Sequence, residues 1–436
     1  MTQSTHSDVA NPAATLEKTE LQLGFIPLTD CAPLVIAQEN GFYAKYGLNV
    51  ELVRENSWAS IRDKVSYGLL DGAHMLAAMP LATSLGVGAP PVQMLTAFSL
   101  GLNGNAVTVS NELFREMEQF GSPGLEPLKT AQVLAQVIKQ RQAAGREPMT
   151  FAMVFPFSSH NYLLRYWMSS AGIDPDRDVS LIVIPPPQMV RYLAAGMIDG
   201  YCVGEPWNTQ AVTAGLGRVL VTSHQIWNNH PEKVFGVTEH WAEHHPQTHR
   251  AVLLALLEAA RWLDQPENRP AAAAILAKHE YVDAPAAVIE AGLCGHYCYV
   301  AGQEPLSLPD FNVFHRYAAN YPWTSHALWF LTQMYRWGQL RTALDLHAVA
   351  RRVYRADIYR AVADSLNIPC PVSDLKTEGV HEAGWLLEDA TPIVMGADRF
   401  IDSACFDPNV LPVYLESFAI EDYRVSPRQL AQLITD

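Results

Sequence analysis

Short apolar runs alternate with amphipathic stretches over the first half of the chain. Residues 21–26 form an apolar run and predict a first strand, and 32–40 predict a helix closed by Gly41. Residues 48–53 alternate as a second strand. Residues 58–70 have helical spacing behind Asn56-Ser57, whose side chains can accept from the free N–H groups of a first turn. Strands follow at 73–76, 92–100 and 106–110, then a charged helix over 111–120 that Gly121-Ser-Pro-Gly124 breaks. A second series starts at residue 150, with strands at 150–155, 179–184, 201–203 and 219–222. Helices at 159–171, 188–195 and 205–214 separate them. Such alternation predicts parallel sheets with crossover helices on their faces. Beyond about residue 239 the apolar period is helical, at 250–263, 270–278, 285–293, 310–319, 325–337, 341–350 and 354–366. From residue 367 the chain is rich in acids, prolines and turns. It predicts irregular structure packed on the body, or an extension that meets a partner.

One phrase occurs twice. Residues 68–80, GLLDGAHMLAAMP, are echoed by residues 196–206, GMIDGYCVGEP. Each copy reads as a helix end, an Asp-Gly turn, a short apolar strand and a proline that opens the next helix. Glycine tolerates positive φ in such a turn, and proline suits a first helical turn where its missing N–H has no partner. Two similar α/β units predict two lobes with a cleft between them. The expected division is a disordered tail over 1–20, lobe one over 21–106 plus 225–345 with added helices, lobe two over 107–224, and a C-terminal extension over 346–436 packed on the body.

The chain has 436 residues, 49% of them hydrophobic and 17% charged, which is a globular composition with room for two or three domains. A formal net charge of −15 argues against a broad nucleic-acid surface, since phosphate recognition needs a basic face. It does not forbid a small anion held by one or two buried cations. The first twenty residues are polar, with no apolar leader, and no membrane-spanning run follows. On that basis a complete chain is expected to stay in the cytoplasm. The six cysteines show no redox pairing, and Cys294-Gly-His296-Tyr-Cys298 reads as core packing instead of a metal site. No hydrolase elbow, phosphate loop, dinucleotide fingerprint or zinc-protease motif is present, so no enzymatic activity, metal or cofactor is expected.

Five segments are candidate cleft material. Pro27-Leu-Thr29-Asp30-Cys31-Ala-Pro33 follows the first strand, where ligands of open α/β sheets gather and the N–H groups of the next helix favour an anion. Trp58 starts a helix and could lie flat against a planar ligand, or anchor a core. Asn105, in Asn103-Gly-Asn105, sits where one lobe passes into the other, and offers both a donor and an acceptor. Ser158 and Ser159 can cap a helix whose first turn carries His160. Lys233, in His230-Pro-Glu-Lys233, could supply the cation that a desolvated anion requires. Ordinary turns, caps and solvated lysines use the same residues.

Taken together, these segments resemble the nitrate/bicarbonate branch of ABC-transporter substrate-binding proteins over roughly residues 20–345. The carriers are Pro27–Pro33, Asp71-Gly-Ala-His-Met75 with Met79-Pro80, Leu164-Arg-Tyr-Trp167 with Gly172-Ile-Asp-Pro175, Pro185–Met189, Cys202-Val-Gly-Glu-Pro-Trp207 and His230–Lys233. The resemblance implies an α/β, periplasmic-binding-protein-like (type II) two-lobed fold, here with a helical C-terminal extension. It implies that nitrate or nitrite is held by Trp58, Asn105, His160 and Lys233. Thr29, Asp30, Cys31, Pro80, Ser159, Gly204 and Glu205 would then line the cleft. Because no leader is visible, the chain looks closest to the cytoplasmic NasS-type sensors of this branch. That implies an RNA-binding antiterminator partner of the NasT type, no direct contact with nucleic acid and none with a membrane. The alternative is the binding component of a nitrate ABC transporter. A pyrimidine-precursor synthase of the same fold fits less well, for want of its cysteine-rich motif.

Overall fold

The computed structural model describes residues 15–434 apart from 122, 123, 125 and 390. Residues 1–14 of the expected tail lie outside the described part. Residues 17 and 18 are tied down. The Glu17 carboxylate accepts from the backbone of Gln247 and Thr248 at 3.1 and 2.9 Å, and Lys18 pairs with Asp71 at 2.5 Å.

Two sheets divide the α/β part. Strands β1 (Glu20–Phe25), β2 (Asn49–Arg54), β3 (Gly72–Leu76) and β4 (Met94–Asn103) open the chain. After Gly104, β5 (Asn105–Ser110), β6 (Met149–Met153), β7 (Val179–Val183), β8 (Gly200–Gly204) and β9 (Gly217–Thr222) build the second lobe. The chain then returns as β10 (Pro231–Thr238). Further on come a small ribbon of β11 (His296–Tyr297) and β12 (Leu306–Ser307), then β13 (Asn312–Val313). The first sheet runs β13-β4-β10-β3-β1-β2 and the second β7-β6-β8-β5-β9. Neither is wholly parallel as expected. β10 is antiparallel to both β3 and β4, and β5 is antiparallel to both β8 and β9. β10 and β5 are the strands that follow the two lobe crossings, and the short edge strand β13 is antiparallel to β4 as well. At the crossings a strand enters its sheet from the other lobe without a helical crossover to reverse it.

The repeated phrase has one structural meaning in both lobes. Asp71 donates its N–H to Gln22 O at 2.9 Å, and its carboxylate accepts from Gln22 N at 2.9 Å. Asp199 does the same with Thr150, at 2.8 Å for each bond. Each aspartate clamps its own strand to a parallel neighbour in its lobe, β3 to β1 and β8 to β6. The glycines differ from expectation. Gly72 and Gly200 do not supply the positive φ, which belongs to Gly68 and Gly196 at 70° and 67°. A Cβ at Gly72 would stand 2.6 Å from Phe235 Cζ, and one at Gly200 2.9 Å from Thr108 O. Close packing excludes a side chain there.

Two segments depart from their sequence pattern. Residues 310–319 are not a helix. Asn312 and Val313 pair instead with Asn103 and Leu102, extending the first sheet. The helix Pro127–Ala143 was not anticipated, because the Gly-Pro break before it masks its start. It opens with Pro127 in its first turn, capped by the Glu126 side chain.

The helix Thr324–Arg336 and the segments after it brace both lobes. Trp329 packs against Trp227 at a tilt of 45°, with centroids 4.6 Å apart, and its indole N–H reaches Tyr414 Oη at 3.0 Å. Phe400 stacks on Trp227 at 4.7 Å, and Tyr166 of lobe two bonds Asp402 at 2.9 Å. On the other side Tyr354 Oη donates to Ala77 O at 2.8 Å, and Arg355 N to Thr96 O at 2.8 Å, both in lobe one. Among the described residues no helix is long and apolar enough to cross a membrane. Trp329→Ala should empty this junction and lower stability by about 3–5 kcal/mol, read as a reduced urea midpoint at unchanged slope.

Candidate functional site

The site forms where the two lobes meet, at the carboxyl ends of β1 and β3, the start of β5, and the start of β10. Lobe one and lobe two are shut against each other here. Thr29 N donates to Glu205 O at 2.7 Å, and the Trp207 indole N–H to Pro27 O at 3.2 Å.

Trp58 is the first residue of the helix Trp58–Ser66, whose cap is Ser57, accepting from Ser60 N at 3.2 Å. Its indole is buried, edge-on to His74 with centroids 5.2 Å apart, and Lys233 Nζ stands 5.5 Å from its ring centre. Ser158 caps the helix Ser159–Ser170 by accepting from Asn161 N at 3.1 Å, which leaves Ser159 and His160 on the first turn facing the junction. Asn105 opens β5 and is fixed by its backbone N–H to Ser223 Oγ at 3.2 Å. Lys233 is 1% exposed. Its ammonium pairs with Asp30 at 2.6 Å and with Glu232. His74 Nε2 lies 2.9 Å from the other Asp30 oxygen.

The structure therefore brings Trp58, Asn105, His160 and Lys233 together, with Glu232 at their centre. Asn105 Nδ2 donates to Glu232 at 2.6 Å, Ser159 Oγ donates to the same oxygen, and His160 Nε2 is 3.4 Å from the other. Of the expected lining residues, Thr29, Asp30, Ser159 and Gly204 meet here. A Cβ on Gly204 would come within 3.2 Å of Asn105 Oδ1 and 3.5 Å of Asp30 Oδ2. Glu205 contributes only its backbone. Its carboxyl turns away to Tyr297 Oη at 2.6 Å and Thr209 N at 3.1 Å. Cys31 points into the apolar core on the far side of the first sheet, among Leu34, Val35 and Phe25, and so is not a lining residue. Pro80 opens the buried helix Met79–Ser84 after β3, one step removed from the charged group.

Sequence reasoning assigned no role to Glu232, His74 or His230. Strict strand alternation would send Glu232 and Lys233 to opposite faces. Irregular register in β10 on both sides of Lys233 lets neighbouring side chains share one site. The signal available was the His-x-Glu-Lys spacing itself.

Electrostatics separate the groups. Burial alone would raise Asp30, but the Lys233 ammonium and the His74 N–H beside it hold it far below the usual carboxylate range. Burial would lower Lys233, but Asp30 and Glu232 outweigh it and raise the ammonium's pKa. Burial pushes His160 and His230 down to about 4 and lowers His74, so the imidazoles are neutral near pH 7. Several polar atoms in this shell have no hydrogen-bond partner: both ring nitrogens of His160, the indole nitrogen of Trp58, and the side-chain oxygens of Asn105 and Thr29. Buried polar groups left unmatched cost roughly 1–3 kcal/mol each, so this shell is built to meet a small polar molecule.

Residues 14–277 match the NMT1-like family, and the chain belongs to that family. It is 35% identical to the nitrate/nitrite binding protein NrtA of Synechocystis sp. over 94% of this chain and 86% of that protein. It is 44% identical to the nitrate import ATP-binding protein NrtC of the same organism over 81% of this chain, and spans about half of that relative's length. The crystal structure of the periplasmic nitrate-binding protein NrtA from Synechocystis matches with a TM-score of 0.81 at 34% identity, covering 93% of this chain and all of that one. The chain thus has the expected periplasmic-binding-protein-like (type II) two-lobed fold, and it shares its family with binding proteins.

The same matches overturn the cytoplasmic NasS-type sensor, its cytoplasmic location and its RNA-binding antiterminator partner. The NrtA relative, matched over 86% of its length, carries a nitrate/nitrite-binding name, the solved NrtA is named periplasmic, and NrtC is named for nitrate import. The expectation of no membrane association falls with them. It rested on the polar opening residues, and a binding pocket encodes its ligand but not its compartment.

Three buried histidines, His160, His230 and His249, have pKa values near 4 in the fold against about 6.5 when unfolded. Between those values the unfolded chain binds more protons, so acidification favours unfolding. The unfolding free energy from urea titration should fall steadily from pH 7 to pH 4.5, by up to roughly 3 kcal/mol per histidine, and the urea midpoint with it. A midpoint flat over that range would show that these rings are charged in the fold.

Proposed function

We propose that this chain is the substrate-binding component of a nitrate/nitrite ABC importer. Its lobes close over the anion and present it to a membrane-bound permease and ATPase. The observation that carries this reading is the buried cation Lys233 set among unpaired donors at the lobe junction. The Trp58 indole N–H and the neutral His160 ring can donate to an oxyanion, and the Trp58 face offers a flat wall. A planar monovalent oxyanion satisfies these groups without bulk, and Lys233 provides the charge that makes its burial tolerable. The similarity to nitrate/nitrite binding proteins supports the same ligand class.

Binding between two hinged bodies explains the fold's economy. Each lobe supplies part of the shell, Trp58, Asp30 and Lys233 from one side and Asn105, Ser159 and His160 from the other. The ligand stabilises the closed arrangement by its differential contacts, and a transporter can read that arrangement.

Calorimetric titration with nitrate, nitrite and bicarbonate tests the reading. Nitrate and nitrite should bind more tightly than bicarbonate. Lys233→Ala should weaken nitrate by about 2–5 kcal/mol and His160→Ala by about 1–3 kcal/mol, with the fold checked by circular dichroism. Nitrate affinity unchanged in both folded variants would remove this site from the function.

A further inference from the structure

The centre of the donor shell already holds an anion that belongs to the chain. Glu232 Oε2 accepts from Asn105 Nδ2 at 2.6 Å and from Ser159 Oγ, and His230 Nδ1 lies 3.8 Å from it. Oε1 takes the Lys233 ammonium and stands 3.4 Å from His160 Nε2. A carboxylate is a planar oxyanion with the charge and nearly the shape of nitrite or nitrate. Glu232 is 2% exposed in its side chain and enclosed by both lobes, so it has no open path out of the closed site.

The ionisable groups facing Glu232 are Lys233 on its own strand, His230 just before it, Asp30 beyond β1, His74 on β3, His160 on the lobe-two helix and Cys202 on β8. Burial keeps the three histidines and the thiol uncharged. One cation thus faces two carboxylates, and a further anion would leave the closed site with two uncompensated negative charges. A low-dielectric interior strongly opposes that.

We propose that Glu232 takes up one proton from solvent as nitrate or nitrite binds, and turns from a competing acceptor into an O–H donor to the bound anion. This rests on the anion-binding reading above and adds its proton coupling. Only the Glu232 O–H bond forms, and the net charge of the site is the same before and after. The sign follows from the free protein. There burial alone would raise the Glu232 carboxyl, but His160, Lys233 and His230 outweigh it and hold it below the ordinary glutamate value. A neighbouring anion raises it. Between the two values affinity falls tenfold for each unit that pH rises.

Calorimetry of nitrate binding from about pH 6 to pH 8, in buffers of differing ionisation enthalpy, measures the protons taken up. The wild-type protein should take up close to one proton per nitrate and lose affinity about tenfold per pH unit. Glu232→Gln, which keeps the shape and supplies a permanent N–H donor, should bind with no proton uptake and no pH slope, and at pH 8 at least about tenfold more tightly than wild type. An infrared difference spectrum of the wild-type protein, independent of any variant, should show a carboxylate band lost and a protonated carboxyl band gained on adding nitrate. Nitrate binding without proton uptake, proton uptake that persists in Glu232→Gln, or absence of the protonated carboxyl band overturns the proposal and leaves the anion site standing. Failure of both proteins to bind any of nitrate, nitrite and bicarbonate across the range overturns the anion site and the coupling together.

Discussion

One ammonium group, that of Lys233, sits at the junction of two lobes with almost no access to water. A buried charge must be matched, and the way this one is matched organises the centre of the molecule. Asp30 arrives from the loop after β1 and is itself oriented by His74 on β3. Glu232 arrives from the same strand as Lys233 and is held by Asn105 and Ser159 from lobe two. The pair therefore links the lobes through charge-assisted hydrogen bonds, while the apolar surfaces around it keep water out. Removing any member leaves another group buried and unmatched. That is why one site gathers a loop, a crossover strand, a helix start and a bulged strand.

How much of this was legible in the chain depends on the range of the interactions involved. The echo around Asp71 and Asp199 correctly announced two similar lobes, because each copy is a local unit: an aspartate clamps a strand to its neighbour, and a glycine sits where a facing strand leaves no room. The helix starts at Ser57 and Ser158 were readable for the same reason, since a cap acts over three residues. Pairing between distant segments was not readable. The antiparallel entry of β10, the use of residues 312–313 as an edge strand in place of a helix, and the turning of Glu205 toward Tyr297 are all decided by partners far away in sequence. Lys233 was a candidate from its own segment, His230-Pro-Glu-Lys233, and the resemblance to a family implied its role toward the anion. Glu232, its neighbour, was passed over because alternation along a regular strand would have pointed it elsewhere.

The C-terminal third constrains how the lobes can move. Trp227 lies just before β10, and it is packed by Trp329 and Phe400, while Tyr166 of lobe two bonds Asp402. The same extension grips lobe one through Tyr354 and Arg355. Opening the cleft therefore requires sliding at one of these junctions as well as rotation at the two crossings beside Gly104 and β10. The aromatics at Trp227 present faces that can shear, whereas the bonds from Tyr354 Oη to Ala77 O and from Arg355 N to Thr96 O are directional. The extension holds lobe two by directional bonds as well, Tyr162 Oη to Gln339 Oε1 at 2.7 Å and Arg336 to Ser169 Oγ at 2.7 Å, so it grips both lobes.

A binding protein in an importer has two opposed duties, to capture an ion that water holds well and to let it go on demand. A rigid pocket with surplus positive charge meets the first duty and fails the second. Here the single cation is already paired from within by two carboxylates, so an emptied site does not leave the ammonium bare. When the ion leaves, Glu232 can give up its proton and resume the bonds to Asn105, Ser159 and Lys233 that the ion had weakened. The internal carboxylate lowers the affinity that the donor shell would otherwise have, so the bound state is less favoured over the emptied one. Specificity then comes from shape: an incoming ion must fit beside a protonated carboxyl and under the Trp58 face in a volume set by two closed lobes. A small planar anion does so more readily than a tetrahedral one.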